Sequence, residues 1–159
     1  MPAVADLTLD LLRAAARDVA EAYALDLVVL FGSAAREGFA TARDVNLAVT
    51  GDSERGKPAE GWGWGREFVL YAAFARRLDV PVDLVEADCA SEILQAHVAR
   101  DGVPLYERTP GAFVQFQAAA NRRFEEMQPQ REAEWEATKR GIRALLPPTP
   151  DYRPWGSYP

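Results

Sequence analysis

Residues 27–49 read LVVLFGSAAREGFATARDVNLAV, and this stretch decides how the chain folds. The apolar run 27–31 has the length and the β-branched content of a buried strand. Gly32 follows it and permits a turn in which backbone N–H groups can approach an anion closely. A second apolar run, 47–49, comes directly after the polar tripeptide at 44–46. The stretch therefore predicts a strand, a turn of small residues, and a second strand that begins with polar side chains.

Three oxygen-bearing side chains are predicted to meet beside this turn. Asp44 and Asn46 lie two residues apart, so on a strand both point to one face while Val45 points to the core. Asp83 lies in a later apolar run, 80–85, which predicts a neighbouring strand with this carboxylate on the same face. Such hard oxygen ligands suit Mg²⁺, which usually takes one or two carboxylates plus the phosphates of its substrate. We therefore expect Asp44, Asn46 and Asp83 to form a Mg²⁺ site.

The segment between the two strands offers groups that can bind phosphate. Ser33 is predicted to cap the turn at 34–36 and to donate a hydrogen bond to a phosphate. Arg36 and Arg43 can neutralise phosphate or a leaving pyrophosphate. The alternative for both arginines is simple solvation, which is more common for an exposed loop arginine.

This arrangement resembles the DNA polymerase β-like nucleotidyltransferase superfamily. Within it, the chain resembles the minimal nucleotidyltransferase (MNT) domains that often serve as antitoxins to HEPN-domain ribonuclease toxins. The family pattern is Gly-Ser, a ten-residue gap, Asp-x-Asp and a third Asp on a later strand; Gly32, Ser33, Asp44 and Asp83 match it, and Asn46 does not. The likeness covers about residues 25–106. It implies an α/β fold with a short mixed sheet flanked by helices.

The resemblance also implies a reaction, namely transfer of AMP from ATP onto a hydroxyl of a partner protein. The partner would be a HEPN toxin, silenced by modification of a tyrosine. Asp44 and Asp83 would hold Mg²⁺, and Gly32 and Ser33 would bind the triphosphate. Asp83 would in addition help to deprotonate the acceptor hydroxyl.

Asn46 leaves other functions open. The amide keeps the shape and one oxygen of a carboxylate but removes a negative charge, which weakens a two-metal site and favours weak or single-metal binding. The chain is therefore equally well read as a pseudo-nucleotidyltransferase that neutralises or scaffolds a partner by contact alone. A third alternative is transfer to a small molecule such as an aminoglycoside, although the C-terminal segment is short for the second domain of such enzymes.

Composition narrows the protein class. With 159 residues, 48% hydrophobic and 26% charged, the chain fits one globular domain with a real core. A net charge of −6 argues against tight nonspecific nucleic-acid binding. The single cysteine, Cys89, fits a reducing compartment, and we find neither a membrane-length apolar run nor a signal-peptide pattern. We therefore expect a cytoplasmic protein that does not contact a membrane.

The sequence divides into three predicted parts: a nucleotidyltransferase-like domain at 1–108, a helical extension at 109–146 and a Pro/aromatic tail at 147–159. Helices are predicted near 11–22, 67–78 and 90–100, and a loop at 52–65. The extension is either two helical pieces or one helix kinked at Pro129.

Aromatic residues in the loop and the tail have two readings. Trp62, Trp64 and the tail can anchor an interface, with a partner or with a second copy of the chain, or they can cover the edge of the protein's own core. Stacking of Trp62 or Trp64 on a nucleotide base is a third reading. His97 lacks neighbours at metal-ligand spacing, so we expect it to be structural.

Overall fold

The computed structural model describes residues 3–52, 54–59, 61 and 63–145, and its central feature is a mixed four-stranded sheet. The α-helices and strands in chain order are α1 (Leu9–Tyr23), β1 (Leu27–Phe31), α2 (Ser33–Glu37), β2 (Val45–Thr50), α3 (Arg66–Leu78), β3 (Val82–Glu86), α4 (Glu92–Asp101), β4 (Val103–Glu107) and α5 (Ala112–Leu145). The sheet order is β3-β2-β1-β4. β1 is antiparallel to β2 and β4, whereas β2 and β3 are parallel. The predicted α/β fold with a short mixed sheet and flanking helices is confirmed.

β1 is a central strand that is buried on both faces. Val28 and Leu30 belong to the larger core cluster, which also contains the buried residues of α1 and α3. Leu27 and Val29 belong to a second cluster with Val98 of α4 and other residues. Burial on both faces explains why this strand reads as a continuous apolar run rather than as an alternating one.

The helices begin where short polar side chains or glycine allow it. Thr8 caps α1, where its Oγ1 accepts a hydrogen bond from the Leu11 N–H at 3.2 Å. Ser91 caps α4 in the same way, and its Oγ accepts from the Leu94 N–H at 3.3 Å. Asp88, which precedes this cap by three residues, accepts a hydrogen bond from the backbone N–H of Gly51 at 3.0 Å.

The turn after β1 differs from the prediction in one detail. Gly32 is the N-cap of α2, and Ser33 is the first helical residue. The cap makes no side-chain hydrogen bond, so the prediction that Ser33 caps this turn is wrong. Gly32 takes the cap position because its backbone has φ 77° and ψ −155°, a conformation that only glycine adopts readily.

The chain divides into two units between Phe124 and Glu125. The first unit contains the sheet and the beginning of α5, where Phe113 and Ala120 are buried. In the second unit, Pro129 lies inside α5, so of the two alternatives for the extension the structure has the single helix. Trp62 and the tail at 147–159 lie outside the described residues. Within the described ranges, no helix combines the length and the apolar character needed to cross a membrane.

Candidate active site

The ends of β1 and β2 bring Gly32 against Asn46. Phe31 pairs with Asn46 across the two antiparallel strands, and Gly32 is the next residue. A Cβ atom built on Gly32 would lie 3.2 Å from Nδ2 and 3.3 Å from Cγ of Asn46. Glycine is therefore needed at this position for two reasons, the left-handed backbone and the close approach of the amide side chain.

Asp83 lies beside Asn46 on the neighbouring strand. The parallel register of β2 and β3 pairs Asn46 with Asp83 and Val45 with Val82. Val45 and Val82 are buried in the larger core cluster, so Asn46 and Asp83 lie on the opposite face of the sheet. Asp44 immediately precedes β2. The structure thus brings these three polar residues together as the spacing predicts; their catalytic and metal-binding roles stay predictions.

Asp44 and Asn46 are joined by a hydrogen bond. The Asn46 Nδ2 donates to Asp44 Oδ1 at 3.0 Å in a partly buried setting. An aspartate in place of Asn46 would put two carboxylates at this separation, where a cation is needed to offset their repulsion. The amide instead satisfies one Asp44 oxygen directly. In this chain the pair is therefore stable without an ion.

The donor set limits what metal the site can take. Among the described residues, no group of three His, Cys, Asp or Glu side chains could hold a metal ion. Asp44 and Asp83 still offer two carboxylates, and Asn46 offers an amide oxygen once the amide turns. Such a set fits one Mg²⁺ whose remaining ligands are water and substrate phosphates. It does not fit two adjacent cations, which need more negative charge.

The two predicted phosphate-binding arginines differ in their surroundings. Arg36 Nη1 lies 3.7 Å from Asp101 Oδ2 at the end of α4. Arg100 also binds Asp101, through Nε at 2.8 Å and Nη2 at 2.7 Å. The hydrogen bonds from Arg100, with a smaller contribution from the charge of Arg36, hold the pKa of the Asp101 carboxyl below its ordinary value. Arg43 is exposed.

A cleft of about 440 Å³, here called the α2–α4 cleft, opens next to Gly32. Its lining comes from β1, α2 and α4: Phe31, Gly32, Arg36, Leu94, His97, Arg100 and Asp101. Two arginines against one carboxylate make the lining positive on balance. His97, which the sequence suggested is structural, is exposed and contributes to this lining.

A second cleft, of about 640 Å³, lies along β3 and is here called the β3-edge cleft. It is lined by Trp64, Gly65, Arg66, Glu67, Phe68, Tyr71, Val82, Asp83, Leu84 and Glu86. Trp64 is 83% exposed over the whole residue, so it does not cover the protein core. The sequence drew attention to Trp64 but not to Arg66, Phe68 or Tyr71. Their position in the sequence could have indicated a role, because they form the first turns of the predicted helix α3, directly after Gly65 and next to Trp64.

The part of the chain that contains the sheet and the turn after β1 matches a known protein family. The family model "Polymerase beta, Nucleotidyltransferase" matches residues 16–110. No curated protein matches the chain at a significant level. Several solved structures match the fold of this chain with a probability of 1.00, and several of these are structures of toxin–antitoxin complexes.

Three of these structures illustrate the match. One, a toxin–antitoxin with AMP-PNP, has 24% identity and a TM-score of 0.64, with 84% of this chain and 99% of that chain covered. The MntA–HepT toxin–antitoxin has 22% identity, coverage of 82% and 96%, and a TM-score of 0.57. A tri-AMPylated Shewanella oneidensis HEPN toxin in complex with an MNT antitoxin has 23% identity, coverage of 82% and 95%, and a TM-score of 0.57. At these identities the structures establish a shared fold.

Proposed function

Because the chain belongs to the polymerase β nucleotidyltransferase family, whose model matches residues 16–110, we propose that it transfers AMP from ATP onto a hydroxyl group of a partner protein. The observation that carries the proposal is the close approach of Gly32 to the Asn46 side chain, beside Asp44 and Asp83. This is where the family pattern expects triphosphate and metal to meet.

Each of these residues has a distinct role in the proposed reaction. Gly32 carries no side chain, so the triphosphate can approach the backbone of the turn, and the Ser33 hydroxyl donates to a phosphate oxygen. Arg36 is held by Asp101 only at 3.7 Å, so it can turn toward the departing pyrophosphate. Mg²⁺, held by Asp44, Asp83 and the neutral oxygen of Asn46, would offset the phosphate charge when bound.

The chemical step is a displacement at the α-phosphorus. The acceptor oxygen forms a bond to this phosphorus while the bond to the bridging oxygen of the β-phosphate breaks, and pyrophosphate leaves. The acceptor hydroxyl loses its proton to the carboxylate of Asp83. The α2–α4 cleft, with Arg36 and Arg100 in its lining, gives the β- and γ-phosphates a positive surface beside the turn.

We further propose that the partner is a HEPN-type toxin. The structural neighbours support this, because one of them contains an AMPylated HEPN toxin in complex with an MNT antitoxin. A binding module without catalysis is the second candidate, and a specific observation favours it. The hydrogen bond from Asn46 to Asp44 satisfies the carboxylate that a catalytic ion would need.

Labelled ATP distinguishes the two candidates. The partner is recovered with this chain by affinity purification from the source cells and is incubated with Mg²⁺ and ATP labelled on either the α- or the γ-phosphate. Transferase activity puts label on the partner from α-labelled ATP only, and Asp83→Asn abolishes the transfer. Asp10→Asn, a matched change at an exposed carboxylate of α1, leaves it intact. A stable complex that never acquires label would show that the binding module is correct.

A further inference from the structure

The strand order arranges the proposed reacting groups in a row across one face of the sheet. Gly32 follows β1, Asn46 lies on β2, and Asp83 lies on β3, which is the last strand of the described sheet on that side. In a displacement at phosphorus, the entering and leaving oxygens lie on opposite sides of the phosphorus. If the pyrophosphate leaves at the Gly32–Ser33 turn, the acceptor hydroxyl must therefore arrive from the β3 side.

The β3-edge cleft lies on that side and has Asp83 in its lining. Trp64, Phe68 and Tyr71 present aromatic rings there that are 83%, 56% and 41% exposed, measured over the whole residue. The Trp64 and Phe68 ring centroids are 6.3 Å apart. A single exposed aromatic residue is ordinary, but three that line one cleft mark a binding surface. We propose that this cleft binds the acceptor as an extended peptide segment that carries the reacting hydroxyl and cationic side chains, an inference that rests on the proposed function.

The charges of the cleft favour such a segment over a second nucleotide. Arg66 is already neutralised by Glu86, whose Oε2 accepts from Arg66 Nη1 at 2.7 Å. Glu67 and Asp83 also line the cleft, so its balance is negative. A phosphate would be repelled here, whereas lysine or arginine side chains on the acceptor would be attracted.

Arg66 supplies donors that suit a peptide backbone. Its side chain is only 9% exposed, and its Nε and Nη2 are buried without a hydrogen-bond partner in the part of the chain that the structure describes. Buried donors without a partner destabilise a protein, so an incoming acceptor that satisfies them gains affinity. The carbonyl oxygens of an extended peptide along the outer edge of β3 would provide that partner. The sheet order leaves this edge of β3 without a neighbouring strand among the described residues.

The test uses the full chain and one defined probe, the capped peptide acetyl-Lys-Leu-Tyr-Leu-Lys-amide, followed by ¹⁵N NMR. We expect peptide-induced shifts to be confined to residues 64–71 and 82–86. Phe68→Ala should raise the peptide Kd by about tenfold, a typical loss for an aromatic anchor. Leu11→Ala, at a similarly exposed apolar residue on α1, should leave the Kd unchanged. Both residues are more than half exposed, so both variants should keep the fold.

Two separate readouts keep this inference distinct from the proposed function. ATP with Mg²⁺ is titrated into the same sample, and the signals of Gly32, Ser33 and Asn46 report nucleotide binding. Three results would each overturn the proposal that the β3-edge cleft binds the acceptor. They are peptide-induced shifts elsewhere in the chain, no shifts up to the solubility limit of the peptide, and an unchanged Kd for Phe68→Ala. Peptide shifts in the cleft without any response to ATP would instead contradict the proposed transfer and leave a peptide-docking surface.

Discussion

Replacing Asn46 with aspartate should make the stability of the protein depend on Mg²⁺. The native amide donates to Asp44 at 3.0 Å, and the variant puts a second carboxylate at that separation. Two unit charges 3.0 Å apart repel by about 5.5 kcal/mol at an effective dielectric constant of about 20, and by about 1.4 kcal/mol in bulk water. Both side chains are partly buried, so we expect a loss of about 2–3 kcal/mol in the absence of a cation.

Mg²⁺ should restore this loss because it binds the folded variant between the two carboxylates. A ligand at about 100 times its Kd stabilises the folded state by about 2.7 kcal/mol. For a chain of this size, a change of about 1 kcal/mol shifts Tm by roughly 2–4 °C. The Tm of Asn46→Asp in EDTA should therefore lie roughly 5–10 °C below that of the native protein and rise by a similar amount in Mg²⁺.

Thermal unfolding followed by circular dichroism, in EDTA and in Mg²⁺, measures this effect. Asn46→Ala is the matched control, because it removes the hydrogen bond without adding a charge and should not respond to Mg²⁺. If Asn46→Asp and Asn46→Ala have the same Tm in EDTA and the same Tm in Mg²⁺, the residues at 44 and 46 do not form the proposed cation site.

Three further predictions concern the scaffold around the site. Gly32→Ala should lower the free energy of unfolding, measured by urea titration, by about 1–3 kcal/mol because alanine avoids the positive φ of this position. Gly63→Ala is the control, since Gly63 has open space around it and its replacement should change the free energy of unfolding little. Asp101 has a pKa below its ordinary value of 3.8, so its pairing with Arg100 stabilises the fold above about pH 4, and this contribution is lost as the pH falls through the lowered pKa. Asp101→Asn should therefore narrow the difference in stability between pH 7 and pH 3, and an unchanged difference would contradict the pairing. Gln95→Leu should cost about 2–3 kcal/mol, since the buried amide bonds two backbone carbonyls and accepts from an arginine; a near-neutral result in urea unfolding would show that this network contributes little.

The sequence predicts the geometry of the site well where strand periodicity governs it. Val45 and Leu47 must point to the core, so Asp44 and Asn46 are directed to the other face by a period of two residues. Asp83 follows from the same rule applied to the next apolar run. The parallel register that sets Asp83 directly beside Asn46 depends on how the strands pair, and no local pattern specifies it.

Features set by tertiary contacts or by unusual backbone conformations were not predictable in this way. Serine is a common N-cap residue, but the positive φ of Gly32 places the N-cap of α2 one residue before Ser33. The contact of Arg36 with Asp101 joins two helices that are distant in sequence. Likewise, the β3-edge cleft forms because the first turns of α3 lie beside β3, a packing relation that the spacing of Trp64 and Phe68 does not reveal.

Calorimetric titration of ATP into the native chain, with and without Mg²⁺, measures nucleotide binding at this site without any knowledge of the acceptor. We expect ATP binding that depends on Mg²⁺, that is weakened by Asp44→Asn and that is unaffected by Asp10→Asn. Absence of binding by the native chain, with binding restored by Asn46→Asp, would contradict the proposed transfer of AMP by the native protein. The site would then have lost its chemistry, and the protein would act on its partner by contact alone.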